Sequence, residues 1–233
     1  MYYVSSLCFT SIHQSLARKQ VYTEPSTQFA FSGLNSGFLK VLNFGRLTIG
    51  VMKSGRSIRS FSARDGRKVV LRTPRWEDLD DLLELINCLV EEKTDIIRTE
   101  RVSREKEIDW LCGALSRLEK DEECYIVAEV NGKVVANSEV SRGRGYEKHV
   151  GGIGIAIKNG FRDVGIGTEM MKALIDQAQK WGLKVLTLRV FASNRRASHL
   201  YEKVGFVQTG IIPRKLFRDG EYIDEIIMTK LLE

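Results

Sequence analysis

The chain has no run of apolar residues approaching the roughly 18 that a membrane-crossing helix needs. Its four cysteines (Cys8, Cys88, Cys112, Cys124) form no CxxC pair and no pairing pattern. A disulfide framework is not indicated, and a reduced, intracellular setting is the simple expectation. No internal repeat is visible. No GxxxxGK[ST] occurs, which excludes a Walker-type phosphate loop. Acids are nearly missing from residues 1–64, where Glu24 is the only one.

That shortage relocates the net charge. The chain holds 36 Lys/Arg against 30 Asp/Glu, a formal charge of +6. Residues 1–64 hold eight bases and one acid, hence +7. The remainder then holds 28 bases and 29 acids, hence −1. The basic balance therefore belongs to the N-terminal segment, and a nucleic-acid-binding domain, which wants bases clustered on its own face, is not expected. The segment also has eleven serines, one proline and no sustained period. Arg- and Ser-rich, acid-poor composition is that of an organellar transit peptide. Translation starting at Met52 and a disordered tail are the other two accounts. The expected organisation is a basic extension over residues 1–65 and one mixed α/β domain over 66–233. Its expected location is the cytoplasm, or an organelle if the extension is a transit peptide.

The domain reads in order as follows. Lys68–Arg72 is a first strand. Thr73-Pro74 opens a helix with Trp76, Leu79, Leu82, Leu83, Ile86 and Leu89 on one face and acids in its first turns. A second helix spans about Ser103 to Lys120. Cys124–Val130 and Lys133–Arg142 are strands joined by Asn131-Gly132, a two-residue hairpin signal. Then comes the most informative stretch, Gly151 to Gly182. Ile153, Ile155 and Ile157 alternate with small residues, as a strand requires. Arg162-Asp163-Val164-Gly165-Ile166-Gly167 follows. Met170, Met171, Leu174, Ile175, Ala178 and Trp181 then line one helical face, and Gly182 sits at the C-cap position. Lys184–Val190 is a central strand, Asn194–Lys203 a short helix, and Phe206–Arg214 with Tyr222–Leu231 a closing hairpin around Asp219-Gly220.

A strand feeding a glycine turn at a helix start is an anion-binding device, because free N–H groups and the positive end of the helix dipole converge there. The dinucleotide fingerprint fits it poorly. Met170 stands where the third glycine belongs, and the strand follows a hairpin instead of opening a βαβ unit. Taken alone, Gly165 and Gly167 could merely serve a tight turn.

The next block decides between these. Asn194, Ala197, Leu200-Tyr201 and Gly205-Phe206 follow the glycine helix after one strand. Together with Arg162-x-x-Gly165-x-Gly167, this chain resembles the GNAT superfamily of acyl-CoA N-acyltransferases over about residues 66–233. The resemblance implies a mostly antiparallel sheet with helices on both faces. Its fourth and fifth strands, about His149–Ile157 and Lys184–Val190, would splay around CoA. Backbone groups of Ile155, Ala156 and Ile157 would bond pantetheine as an added strand does. N–H groups of Asp163, Val164, Gly165, Ile166, Gly167 and Thr168 would hold the pyrophosphate, with Arg162 as a cation beside it and small glycines admitting the phosphates. Asn194 would cap its helix and bond the cofactor arm. Tyr201 would protonate the departing thiolate. Acetyl-CoA would be the co-substrate, with no metal.

The implied reaction is direct attack of a primary amine, from an amino acid, polyamine or related metabolite, on the thioester. A protein N-terminus, as in ribosomal-protein acetyltransferases, is the alternative acceptor. A non-catalytic acyl-CoA-binding module is the alternative from another class. The amine must first lose a proton, at about 4–5 kcal/mol for a pKa near 10.4 at neutral pH. Glu139 and His149 are candidate bases. His199 is expected to face solvent, and Cys124 has no base partner for covalent chemistry. Arg196 and Lys203 could reach CoA phosphates or simply be solvated. Glu91, Glu92 and Asp95 read as a solvated helix end, or as attractors of a cationic amine. Homodimers are common in that superfamily, but the sequence does not itself show one.

Overall fold

The computed structural model describes residues 53–233. Cys8, and with it the extension as far as residue 52, lies outside the described residues. Eight strands form one sheet in the order β1-β2-β3-β4-β5-β6-β8-β7. They are β1 Ser57–Ser62, β2 Lys68–Arg72, β3 Glu123–Val130, β4 Lys133–Arg142, β5 Val150–Ile157, β6 Val185–Phe191, β7 Val207–Arg218 and β8 Glu221–Leu231. The helices are α1 Leu79–Glu91, α2 Arg104–Glu119, α3 Ile166–Lys180 and α4 Arg195–Lys203. Every neighbouring strand pair is antiparallel except β5–β6. The mostly antiparallel mixed sheet implied by the sequence is the one observed.

Local chemistry sets the connections. Asn131 and Gly132 both take positive φ, 52° and 76°, as the tight β3–β4 hairpin requires. Ser103 caps α2, its hydroxyl accepting from the Lys106 N–H at 3.4 Å. Gly182 ends α3 at φ 72°. Ile166, Met170, Met171, Leu174 and Ala178 of α3 are buried against Ile126, Ala136, Val140 and Leu186 of the sheet. On the opposite face, Leu79 and Leu82 of α1 and Leu111 of α2 cover Val127 and Val134. Removing water from this much apolar surface is the main favourable term, and it clamps the sheet from both sides.

Two expectations need correcting. The packed chain starts upstream of residue 66. β1 pairs with β2, and the Lys53 N–H donates to Glu119 at 2.9 Å. β1 escaped notice because it is an edge strand, SIRSFS, with an almost wholly polar or exposed pattern. The fourth and fifth strands of the expected set are therefore β5 and β6. Second, Trp76 does not join the buried face of α1. It lies in a short 3-10 turn before the helix and is 45% exposed.

Candidate active site

β5 and β6 begin as parallel neighbours and then separate. Their pairing covers only Val150↔Val185, Gly151↔Leu186 and Gly152↔Thr187. Beyond that point β5 stays paired to β4 through Ile157, and β6 stays paired to β8 through Phe191. The gap is the entrance to a cavity of about 840 Å³. Lys158 donates its N–H to the Val135 carbonyl on β4. By strand alternation, the N–H and C=O of Ile155 and the N–H of Ile157 point the other way, into the gap. An extended ligand with amide groups could pair there as a strand does.

The glycine turn closes one end of this cavity. Gly165 caps α3 at φ 97°, a conformation that excludes most side chains. A Cβ on Gly165 would meet nothing within 4 Å, so the space above it is open. Gly167 is small for a different reason. Its Cβ would lie 3.0 Å from Leu200 and 3.1 Å from Ile157, so the glycine lets α3 sit against α4 and β5. The first helical N–H bonded within the chain is that of Glu169, to Gly165. The N–H groups of Asp163, Val164, Gly165, Ile166, Gly167 and Thr168 have no acceptor among the described residues. Six consecutive free donors at a helix N-terminus are an anion cradle.

Arg162 lines the cavity but its guanidinium is already engaged. Nε donates to the Ile157 carbonyl at 2.8 Å, and Nη2 meets Glu92 at 2.7 Å. Arg196 pairs with Asp163 at 3.3 Å. The cations lining the same cavity with no ion-pair partner among the described residues are Arg64, Arg195 and Lys203, whereas Arg189 on the opposite side pairs with Glu225. Arg64 is the one that sequence reading missed. It was assigned to the extension, yet its N–H bonds the Val164 carbonyl at 2.9 Å and places it beside the turn.

On the α4 side, Asn194 Oδ1 accepts from the Ala197 N–H at 3.1 Å, the capping role expected of it. Tyr201 follows two turns later, buried but lining the cavity. Its phenol has no charged partner among the described residues, and burial pushes its pKa up to about 12. At neutral pH the hydroxyl is a proton carrier facing the gap. His199 lines the cavity mouth and is exposed. His149 is exposed on the strand's far end, and its carbonyl takes the Lys184 and Val185 N–H groups. Cys124 is buried, and its thiol is pushed up to about 11, first by burial. That thiol stays protonated and is no nucleophile.

The cavity passes through the gap to the α1 face of the sheet. Glu139 pairs with Gly154, and its carboxylate comes within 3.5 Å of where a Gly154 Cβ would stand. Glu139 is adjacent to the cavity wall but does not line it. Although the residue keeps much of its surface open, the protein packed around it raises its carboxyl above the ordinary range first and the Glu123 charge second, against Arg117. Next to it, Asn137 Oδ1 is buried without a partner among the described residues. The acids at the end of α1 are not simply solvated. Asp95 Oδ1 accepts from Ser193 at 3.1 Å and from Arg218 at 2.7 Å, strapping the α1–α2 loop to the β6–α4 loop and to the closing hairpin. Glu91 pairs with Arg101 and Glu92 with Arg162. Among the described residues no group of three or more His, Cys, Asp or Glu could hold a metal ion.

The model of the acetyltransferase (GNAT) family matches residues 82–206, more than half of the chain. The chain belongs to the GNAT acetyltransferase family. It is an acetyl-CoA-dependent N-acetyltransferase. YwnH of Bacillus subtilis is 25% identical over 166 residues, covering 70% of this chain and 99% of that protein. The L-amino acid N-acetyltransferase AaaT of Escherichia coli is 29% identical over 109 residues, covering 46% of this chain and 67% of that protein. Among solved structures, a GNAT phosphinothricin acetyltransferase from Sinorhizobium meliloti, in complex with acetyl-CoA, has the same fold. It gives a TM-score of 0.63 at 18% identity, over 70% of this chain and 88% of that one. In this GNAT acetyltransferase, then, the strand gap, glycine turn and Tyr201 form one continuous site.

Proposed function

We propose that the enzyme moves the acetyl group of acetyl-CoA to the primary amine of a small molecule, such as an amino acid, a polyamine or a related metabolite, by direct attack. One observation carries this reading. A turn of free N–H groups that meets the cavity at Asp163, Gly165, Gly167 and Thr168, an open strand edge and a protonated tyrosine share a single cavity. The pyrophosphate fits the Asp163–Thr168 donors, where the space over Gly165 is open. Pantetheine amides fit the free N–H and C=O of Ile155, whereas Ala156, expected to take part, turns its backbone groups to β4. Asn194 and Arg64, Arg195 and Lys203, these cations unpaired among the described residues, surround the cofactor arm. The names of the relatives, which include an L-amino acid acetyltransferase, point to the same acceptor class.

In this scheme Glu139 accepts the proton of the incoming ammonium, directly or through one water. Its raised pKa brings it nearer the operating pH, which suits a general base. The C–N bond then forms as the C–S bond breaks. The Ile157 N–H faces the charge that develops on the acetyl oxygen. Tyr201 gives its proton to the leaving thiolate and regains one when the acetylated nitrogen sheds its second proton, so that one proton in all, the one on Glu139, passes to solvent.

The test is release of free thiol from acetyl-CoA with a panel of small amines and of peptides with free N-termini. Turnover of at least one small amine is expected, and Gly165→Asp should remove both turnover and CoA binding. A preference for peptides would make it a protein N-terminal acetyltransferase. Tight acetyl-CoA binding without thiol release on any acceptor would make it an acyl-CoA-binding module and overturn the proposal.

A further inference from the structure

The acceptor side of the cavity carries an arginine that cofactor binding does not use. Directly paired residues share a sheet face, and so do alternate residues along a strand. The pairs Glu139↔Gly154 and Gly152↔Thr187 therefore put Glu139, Gly154, Thr187 and Arg189 on one face. Arg189 lies across the gap from Glu139 and lines the cavity. Its ion-pair partner among the described residues is Glu225 on β8, 3.3 Å from Nη1. Glu225 is 3% exposed, whereas the Arg189 side chain keeps 48% of its surface open. A guanidinium has five N–H donors in a fixed fork, and this single contact occupies one. The buried carboxylate thus anchors the arginine at one atom and leaves its other donors without an acceptor among the described residues, on a side chain that lines the cavity.

We propose that Arg189 binds a carboxylate on the acceptor, so that the acceptor is an α-amino carboxylate and not a polyamine. This rests on the acetyl-transfer reading above. The opposite side of the gap supplies the complementary chemistry. Asn137 Oδ1 is a buried acceptor with no donor among the described residues, directly behind Ala156 of the cavity wall, and Glu139 stands two residues along, behind Gly154. An amine held there and a carboxylate held at Arg189 would span the gap. A polyamine would instead set its second cation against Arg189.

The experiment compares α-amino acids with their carboxamides, which keep the amine and lose the anion. Wild-type enzyme should favour the amino acid in kcat/KM by about 10- to 100-fold, the range of a charge-assisted hydrogen bond. Arg189→Met should collapse that ratio to near one while the KM for acetyl-CoA stays unchanged. The double variant Arg189→Met/Glu225→Gln, which leaves no buried unpaired charge, should behave the same way. Arg189→Lys should retain part of the preference. Turnover of amines with equal use of acid and amide, or an unchanged ratio in the variants, overturns the carboxylate site alone. No turnover with any amine overturns the acetyl-transfer reading and this proposal with it.

Discussion

Arg162 and Glu92 meet at 2.7 Å, tying the phosphate turn to the C-terminal end of α1. The arginine of the R-x-x-G-x-G motif is thus shared between the anion site and the helix bordering the acceptor side. A pyrophosphate in the proposed site would compete with Glu92 for one guanidinium. Glu92→Gln should release it and tighten CoA binding by up to about 5-fold, the scale of a partly exposed ion pair. Calorimetry at low and moderate salt measures this. Weaker binding in the variant would mean instead that Glu92 holds the turn in its binding shape.

Tyr201 stands in the gap with its proton secured, because burial raises its pKa to about 12. Replacing it by phenylalanine keeps the ring packed near Phe206, whose centroid is 6.2 Å away, and removes only the hydroxyl. kcat should fall by roughly 10²-fold, as loss of a general acid does, with the acetyl-CoA KM little changed. Steady-state kinetics on the preferred acceptor decide it. Unaltered kcat would remove Tyr201 from proton transfer.

The pH profile tests Glu139. Its folded-state pKa lies above the ordinary 4.5, so activity that needs the carboxylate should be lost as pH falls through that raised value. The same shift has a stability sign. Between 4.5 and the raised value the folded chain holds a proton that the unfolded chain has released. That contribution to stability is present below 4.5 and lost as pH rises through the folded pKa. Glu139→Gln should abolish the acidic limb of kcat/KM and flatten this part of the stability profile. An acidic limb that persists in the variant would assign the base elsewhere.

How much was legible follows from which signals are local. The Gly165 turn, the Asn194 cap and the Asn131-Gly132 hairpin are set by backbone chemistry within a few residues, and each stands where the sequence put it. The splay of β5 from β6 came from resemblance, since nothing in the strand composition states where pairing stops. β1 was hidden because an exposed edge strand carries little hydrophobic period, and Arg64 was hidden with it. The Glu92–Arg162 pair joins residues 70 positions apart, and the Asp95–Arg218 strap joins residues 123 apart. Such pairings depend on the finished topology, so charges that read as solvated in one dimension become fasteners in three. The packing role of Gly167 was hidden for the same reason, because its tight neighbour Leu200 comes from a later helix.

A buried cluster near the start of α1 offers the clearest stability test. Arg72 donates to both carboxylate oxygens of Asp78 at 2.7 Å and to Glu129 at 2.8 Å. Asp78 also accepts from the Arg75 N–H at 2.9 Å, which fixes the turn into the helix. Arg72 and Asp78 are only 5% and 3% exposed. Asp78→Ala would strand the guanidinium in the interior with Glu129 alone, and should cost about 3–5 kcal/mol. Replacing both members by apolar residues, Arg72→Met/Asp78→Leu, should cost less than the single change, because no unpaired charge remains buried. Denaturant unfolding of the wild type and the two variants measures the difference. A single variant no less stable than the double would show that the pair is solvated and not part of the fold's support.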